Sequence, residues 1–366
     1  MSAPFRGVGG RRHQCAHHPA AQSLKGTAFD IGSVSKQFTA AAVLLLVEDK
    51  KLSLDDDVRM YVPEVPRYGK AITLRHLLHH TSGLRDYAGL LSFSSFDIAD
   101  LTNDDDAIFA IAHQKALNFP TGTEWSYSNT GYFLLSIVVK RVAGKPLSAF
   151  AKERIFEPLG MKSTFILDDH TRIVARRATA YAPREDGARF GIAMSNFEQA
   201  GDGAVQTTIE DLARWDANFY DPRVGGRSML TTLRTPGKLD DGKPVSYAMG
   251  LGETNTNGIA REEHDGAWAG YRADIVRFPT ERLTVACLCN VANADASALA
   301  HAVATALLPK LAESAAPRTS ETPLPHRVEA SASRPRSSRR SWGHTTTRSR
   351  STSAHSRSRT ASSCSG

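Results

Sequence analysis

The sequence predicts an α+β fold, with an antiparallel β-sheet flanked by helices and an all-helical subdomain. Three observations carry this. Helical patterns fill the middle of the chain, strand-like runs joined by turns follow from about residue 246, and a last helical stretch over 295–311 closes the body.

The first helix is expected over 35–48. Phe38, Ala40, Ala41, Ala42, Val43, Leu44, Leu45, Leu46 and Val47 make it apolar nearly all round, which predicts burial on most sides. It ends at Asp49-Lys50-Lys51, where cations suit the negative end of the helix dipole. A second helix fits 74–79, with Gly83 placed to terminate it. A third fits 104–117, stopped by Phe119-Pro120-Thr121-Gly122, and a fourth 130–142, ending before Gly144-Lys145-Pro146. Thr208-Ile209-Glu210-Asp211 has the pattern of a capping box for a helix through Trp215. Residues 246–253, 273–278 and 283–291 read as strands.

With 366 residues, 41% hydrophobic and 23% charged, the chain has the make-up of a soluble globular protein of one large domain or two. The formal charge of +7 resides at one end. Residues 317–366 hold ten arginines, no lysine and two glutamates, which leaves 35 basic against 36 acidic residues in 1–316. The basic balance therefore gives no argument for nucleic-acid binding by the body. The tail, with 14 Ser and 7 Thr among its 50 residues, cannot bury enough apolar surface and is expected to be disordered. Its arginines could contact phosphates without sequence specificity. Residues 1–26 are rich in Gly, Arg, His and Ala, show no periodicity, and form an atypical or truncated N-terminal segment.

Four cysteines are too few and too scattered for a disulfide framework. Cys287 and Cys289 fall on one face of one strand, a poor geometry for a mutual disulfide, and Cys15 and Cys364 lack metal-binding spacing. No cofactor and no metal are expected. No apolar run follows Arg6, Arg11 and Arg12 to serve as a signal-peptide core, so the chain as written is expected in the cytoplasm. No segment approaches ~18 uninterrupted apolar residues, so no transmembrane segment is predicted. The expected partner is a small-molecule or peptide substrate; the oligomeric state is not encoded in any pattern.

Three constellations carry chemistry. The first is Ser33-Val34-Ser35-Lys36 at the start of the buried helix. Positions i and i+3 share a helix face, and burial lowers a lysine pKa until the amine can take a serine proton. Alone, the same four residues more often make a Ser N-cap and an ordinary lysine. The second is Trp125-Ser126-Tyr127-Ser128-Asn129, where Tyr127 and Asn129 project to one side of an extended segment. A phenol can relay a proton and a carboxamide can bind a substrate amide. Alone, these residues more often make a helix cap at Asn129 or Thr130 beside a packed Tyr127. The third is His264-Asp265-Gly266-Ala267-Trp268-Ala269-Gly270, whose glycines let a substrate approach a strand edge. A hairpin with a surface histidine is the plainer alternative.

Together and in this order, the three resemble the β-lactamase-related and penicillin-binding serine hydrolases, with their S-x-x-K, Y-x-N and K-T-G or H-x-G motifs. This family includes class C β-lactamase, esterase and D-aminopeptidase relatives. Further stretches fit it: Phe29-Asp30-Ile31-Gly32, His80-Thr81-Ser82-Gly83-Leu84, Pro120-Thr121-Gly122, Glu157-Pro158-Leu159-Gly160-Met161 and Gly201-Asp202-Gly203. The resemblance covers about residues 27–312 and implies a β-lactamase/transpeptidase-like domain. It implies that Ser33 attacks a carbonyl to form an acyl-enzyme, that Lys36 is the acylation base, and that Tyr127 is proton relay and deacylation base. It further implies that Asn129 binds the substrate side-chain amide, that His264 and Gly266 line the cleft, and that the N–H groups of Ser33 and Ala267 form the oxyanion hole.

Where the third motif has His264 in place of a fixed ammonium, an anion contact becomes weaker and pH-dependent. Ester or D-amino-acid amide and peptide hydrolysis therefore ranks above efficient β-lactam hydrolysis. Two alternatives stand beside this: an inactive penicillin-binding-like pseudo-enzyme or sensor, and tail-mediated polyanion or nucleic-acid binding. Family members usually place a helix and a strand hairpin before the Phe-Asp-Ile-Gly stretch. Without that hairpin the strand 283–291 would be an exposed edge. Both ends are expected to be out-of-frame or mis-started translations, and relatives are often exported.

Overall fold

The computed structural model describes residues 26–93, 96, 97 and 99–314. The atypical segment expected at 1–26 (all but Gly26) and the arginine-rich tail at 317–366 lie outside the described residues. The helices are α1 (Lys36–Glu48), α2 (Leu74–Leu78), α3 (Tyr87–Phe93), α4 (Asp104–Ala112), α5 (Asn129–Ala143), α6 (Leu147–Ala151), α7 (Ile209–Asn218), α8 (Gly226–Leu233) and α9 (Ala296–Leu307). The strands are β1 (Phe29–Asp30), β2 (Phe165–Ile166), β3 (Tyr181–Pro183), β4 (Phe190–Ile192), β5 (Val205–Thr207), β6 (Gly252–Thr256), β7 (Ile259–Trp268), β8 (Tyr271–Phe278) and β9 (Leu283–Cys289). Helices and antiparallel sheets make an α+β fold, as the sequence predicts.

At the centre runs α1. Its residues from Lys36 to Leu46 are all buried, and it packs against α5, α6 and α8. A one-turn 3-10 segment, Gly32–Ser35, precedes it, and in that geometry residues i and i+3 eclipse. α5 is the second buried helix, ended by Gly144 in the left-handed conformation.

Two sheets place the ends of these helices. In the small sheet β5 lies between β1 and β2, antiparallel to both, with Asp30 opposite Gln206. This pairing draws the chain before β5 to the start of α1. The larger sheet runs β6-β7-β8-β9, antiparallel throughout. β6 pairs with β7 only as far as Gly252 opposite Glu263. From His264 to Trp268, β7 is therefore hydrogen-bonded to β8 on one side while its other side faces the 3-10 turn. β9 pairs with β8, and no strand among the described residues pairs with its outer edge.

Several boundaries differ from expectation for identifiable reasons. The strand expected at 246–253 begins only at Gly252, because the Ala248 N–H bonds back to the Leu251 carbonyl at 2.7 Å and closes a turn. The helix expected over 104–117 ends at Ala112, where the side chains of His113 and Gln114 take the carbonyls of Phe109 and Ala110. After α2 the left-handed residue is His80 (φ 58°), not Gly83 alone. The N–H groups of His80 and Thr81 return to the carbonyls of Leu77 and His76, the two bonds of a Schellman motif. Thr208 caps α7 through the Asp211 N–H, but Asp211 does not return the bond. Its carboxylate receives Ser163 N–H, the Thr164 hydroxyl and Arg214 instead.

Candidate active site

The nucleophile turn is held from below by Asp30. Its carboxylate accepts from Gly32 N–H at 2.8 Å and from the Gln206 amide at 2.6 Å. Gly32 has φ +48°, and a Cβ there would lie 2.7 Å from the Ala267 nitrogen. A Cβ at Gly266 would collide with the Ile31 carbonyl and stand 3.3 Å from Ser33 N. Two glycines thus permit the turn to lie directly on β7 and bring the backbones of Ser33 and Ala267 together.

Lys36 is fully buried, and its Nζ meets three oxygens. It lies 3.0 Å from Ser33 Oγ, 2.9 Å from Asn129 Oδ1 and 2.7 Å from the Asp202 carbonyl. Burial pulls its pKa down from 10.5 to about 8, against the charges of Asp202, Asp86 and Asp265. Burial likewise raises Asp202, which Lys36 opposes. A neutral amine has two N–H bonds and one lone pair. The carbonyl oxygens of Asn129 and Asp202 accept only, so they take the two N–H bonds and the lone pair is left for the Ser33 hydroxyl.

Tyr127 lies beneath this amine, with Nζ 4.8 Å from the ring centroid. Burial raises its phenol well above 10, countered by a hydrogen bond with Ser33. The Asn129 N–H donates to Asp86 at 2.6 Å, so the first turn of α5 is pinned while its side chain serves Lys36. His264 sits 6.2 Å from Tyr127, ring to ring, and is buried. Its Nδ1 is 2.6 Å from the Asp265 carbonyl and its Nε2 2.9 Å from the Tyr247 hydroxyl. A carbonyl accepts only, so Nδ1 carries a proton, while Nε2 shares a hydrogen bond with the Tyr247 hydroxyl, a group that can donate or accept.

The structure thus brings all seven sequence-predicted residues, Ser33, Lys36, Tyr127, Asn129, His264, Gly266 and Ala267, together at one site. Sequence reasoning passed over four that complete it. Asp202 supplies an acceptor to Lys36, and its carboxylate accepts from the Tyr87 hydroxyl at 3.1 Å. Tyr247 fixes the His264 ring. His80 stacks at 4.4 Å on Tyr127, 5.2 Å on Tyr132 and 4.6 Å on Tyr247, and burial holds it neutral, with its pKa well below 6.5. Asp86 anchors α5. The available signals were an acid between glycines ahead of a strand, Gly201-Asp202-Gly203, and the paired His79-His80 closing a helix. Among the described residues, no helix is long and apolar enough to cross a membrane.

A serine hydroxyl facing a buried amine, set beside a strand edge on an α+β scaffold, is an arrangement in which the amine can take the serine proton. The chain belongs to the beta-lactamase family, whose model, described as Beta-lactamase, matches residues 6–308. It is 30% identical over 279 residues to penicillin-binding protein 4* of Bacillus subtilis, covering 72% of this chain and 60% of that one. To a D-aminopeptidase of Cereibacter sphaeroides it is 31% identical over 277 residues, covering 75% and 53%. The chain thus spans little more than half the length of these curated relatives. Among solved structures, the octameric penicillin-binding protein homologue from Pyrococcus abyssi superposes with a TM-score of 0.70 at 27% identity, covering 79% of this chain and 67% of that one.

Proposed function

We propose that this chain is a serine hydrolase that cleaves esters and amides, D-amino-acid amides and peptides among them, through an acyl-enzyme on Ser33. The observation that carries this is the buried Lys36 Nζ, 3.0 Å from Ser33 Oγ, whose other two partners only accept, so that its free-base form turns a lone pair to the hydroxyl. Lys36 takes the serine proton as Oγ bonds to the substrate carbonyl carbon. The developing oxyanion turns toward the adjoining N–H groups of Ser33 and Ala267. Tyr127, neutral at physiological pH, donates its proton to the leaving group and is reprotonated by the Lys36 ammonium. Water then reverses the sequence: it loses a proton through the same pair, attacks the acyl carbon, and Ser33 leaves with a proton returned. With its oxygen engaged by Lys36, Asn129 has its NH2 group for a substrate carbonyl. The similarity to D-aminopeptidases supports the amide side of the range.

The test is labelling by a fluorescent phosphonate, with Ser33→Ala as control, alongside turnover of p-nitrophenyl esters and D-amino-acid amides. Labelling and turnover that both vanish in Ser33→Ala are expected. A folded wild-type protein that takes no label and turns over nothing sinks the proposal.

A further inference from the structure

Behind His264, on the opposite face of the same strand, lies a second cluster of reactive side chains. Strand alternation turns Glu263 and Asp265 away from the face shared by His264 and Gly266. In the β7–β8 register Asp265 stands opposite Asp274, so Asp274 shares that rear face with Glu263. α9 packs against β8 and β9 and brings His301 to it. His301 Nε2 is 3.0 Å from Glu263 Oε1, and one donor atom from each of Glu263, Asp274 and His301 lies within 4.8 Å of the others. Arg261 holds the second Glu263 oxygen at 2.9 Å.

Asp274 is the informative member. It is 1% exposed, and neither carboxylate oxygen has a hydrogen-bond partner. The Ser297 hydroxyl is near enough to draw its pKa down without reaching hydrogen-bond geometry. A buried carboxylate beside a second one is costly unless a cation or a proton neutralises it.

We propose that Glu263, Asp274 and His301 form a divalent-metal site, suited to Zn2+ and structural in role, on the face of the sheet turned away from Ser33. Two carboxylate oxygens and one imidazole nitrogen are a hard-to-borderline donor set that zinc accepts. Tetrahedral bonds of about 2.1 Å place donors about 3.4 Å apart, within the spread of distances seen here. The His301 side chain is 36% exposed, which gives the ion and a fourth ligand of water a way in. Because the ligands come from β7, β8 and α9, the ion would tie the closing helix to the strands carrying His264 and Gly266. The donors lie far apart in sequence on three elements, so no spacing motif announces them.

Protons and thiols are the rivals. Burial and the Glu263 charge push Asp274 up to about 7, so protons compete for the same site in acid. Cys287 stands opposite Asp274 in the β8–β9 register, with its sulfur 3.7 Å from that of Cys289. The full chain also has histidines and cysteines outside the described residues, among them His13, Cys15 and His17.

The experiment is equilibrium binding of Zn2+ to the metal-stripped full chain at pH 8, with thermal unfolding and Co2+ spectra in parallel. Wild type is expected to bind an ion that raises its Tm, and the Co2+ form to show tetrahedral d–d bands without a thiolate charge-transfer band. Asp274→Asn and His301→Gln should each weaken binding at least about tenfold and lose the Tm gain; the exposed His301 serves if the Asp274 variant fails to fold. No saturable binding, equal binding in both variants, or a thiolate band abolished by Cys287→Ser would overturn the proposal.

Discussion

The Lys36 amine lies 3.0 Å from the Ser33 hydroxyl, on adjoining turns of one continuous 3-10 and α-helical segment. Since both residues sit in the same piece of backbone, their approach is set locally and survives movement elsewhere. Replacing Lys36 by Ala should lower kcat/KM for a p-nitrophenyl ester about 10²- to 10⁴-fold, the usual range for a positioned general base. Lys36→Arg should fare no better, since a guanidinium stays protonated. Stopped-flow acylation kinetics on the folded variants would decide it, and acylation at the wild-type rate would remove Lys36 from the role.

The same amine sets a pH profile. With its pKa lowered to about 8, Lys36 is mostly ammonium at pH 6 and mostly free base at pH 9. The kcat/KM for a neutral ester should therefore rise with pH through an apparent pKa near 8. Asp202 opposes the fall of that pKa, so Asp202→Asn should move the rising limb to lower pH. A limb that moves upward, or stays in place, would show that another group governs it.

How much of this could be read from the residues alone depended on how far apart the partners lie. The Ser33–Lys36 pair and the burial of α1 were legible because both follow from helical spacing in one segment. Tyr127, Asn129 and His264-Asp265-Gly266 were legible as motifs, and their convergence came from family resemblance. Asp202 was quoted as a family stretch yet not as a site residue, because it reaches Lys36 only through the pairing of β1 with β5. Tyr247 was hidden inside an expected strand. The Ala248–Leu251 turn breaks that strand just after Tyr247, whose hydroxyl meets His264 Nε2.

Gly266 makes a sharper structural prediction. Its position is defined by contact with backbone, the Ile31 carbonyl, which cannot rotate away as a side chain would. Gly266→Ala should push the nucleophile turn off β7, costing about 1–3 kcal/mol of stability as overpacking does. It should reduce ester turnover more than that loss explains, because Ser33 N and Ala267 N would separate. Urea unfolding together with single-turnover acylation measures both; an alanine variant with unchanged acylation would contradict the assignment of this contact.

The third motif bears on substrate choice. Both ring nitrogens of His264 are engaged inside the protein, Nδ1 with the Asp265 carbonyl and Nε2 with the Tyr247 hydroxyl. No proton of that ring remains for a substrate carboxylate, whereas a charge-assisted hydrogen bond there would contribute about 1.5–3 kcal/mol, or about ten- to hundredfold in kcat/KM. Nitrocefin, which has a carboxylate beside its reactive amide, should accordingly be turned over more slowly than a neutral p-nitrophenyl ester by at least about that factor. Tyr247→Phe separates orientation from charge: it removes the hydroxyl partner of the buried Nε2, at about 1–3 kcal/mol, and supplies no cation. That variant should lose stability and remain slow on nitrocefin. Rapid, saturable nitrocefin hydrolysis by the wild-type protein would mean that another group in the cleft binds the carboxylate and that His264 does not set the preference.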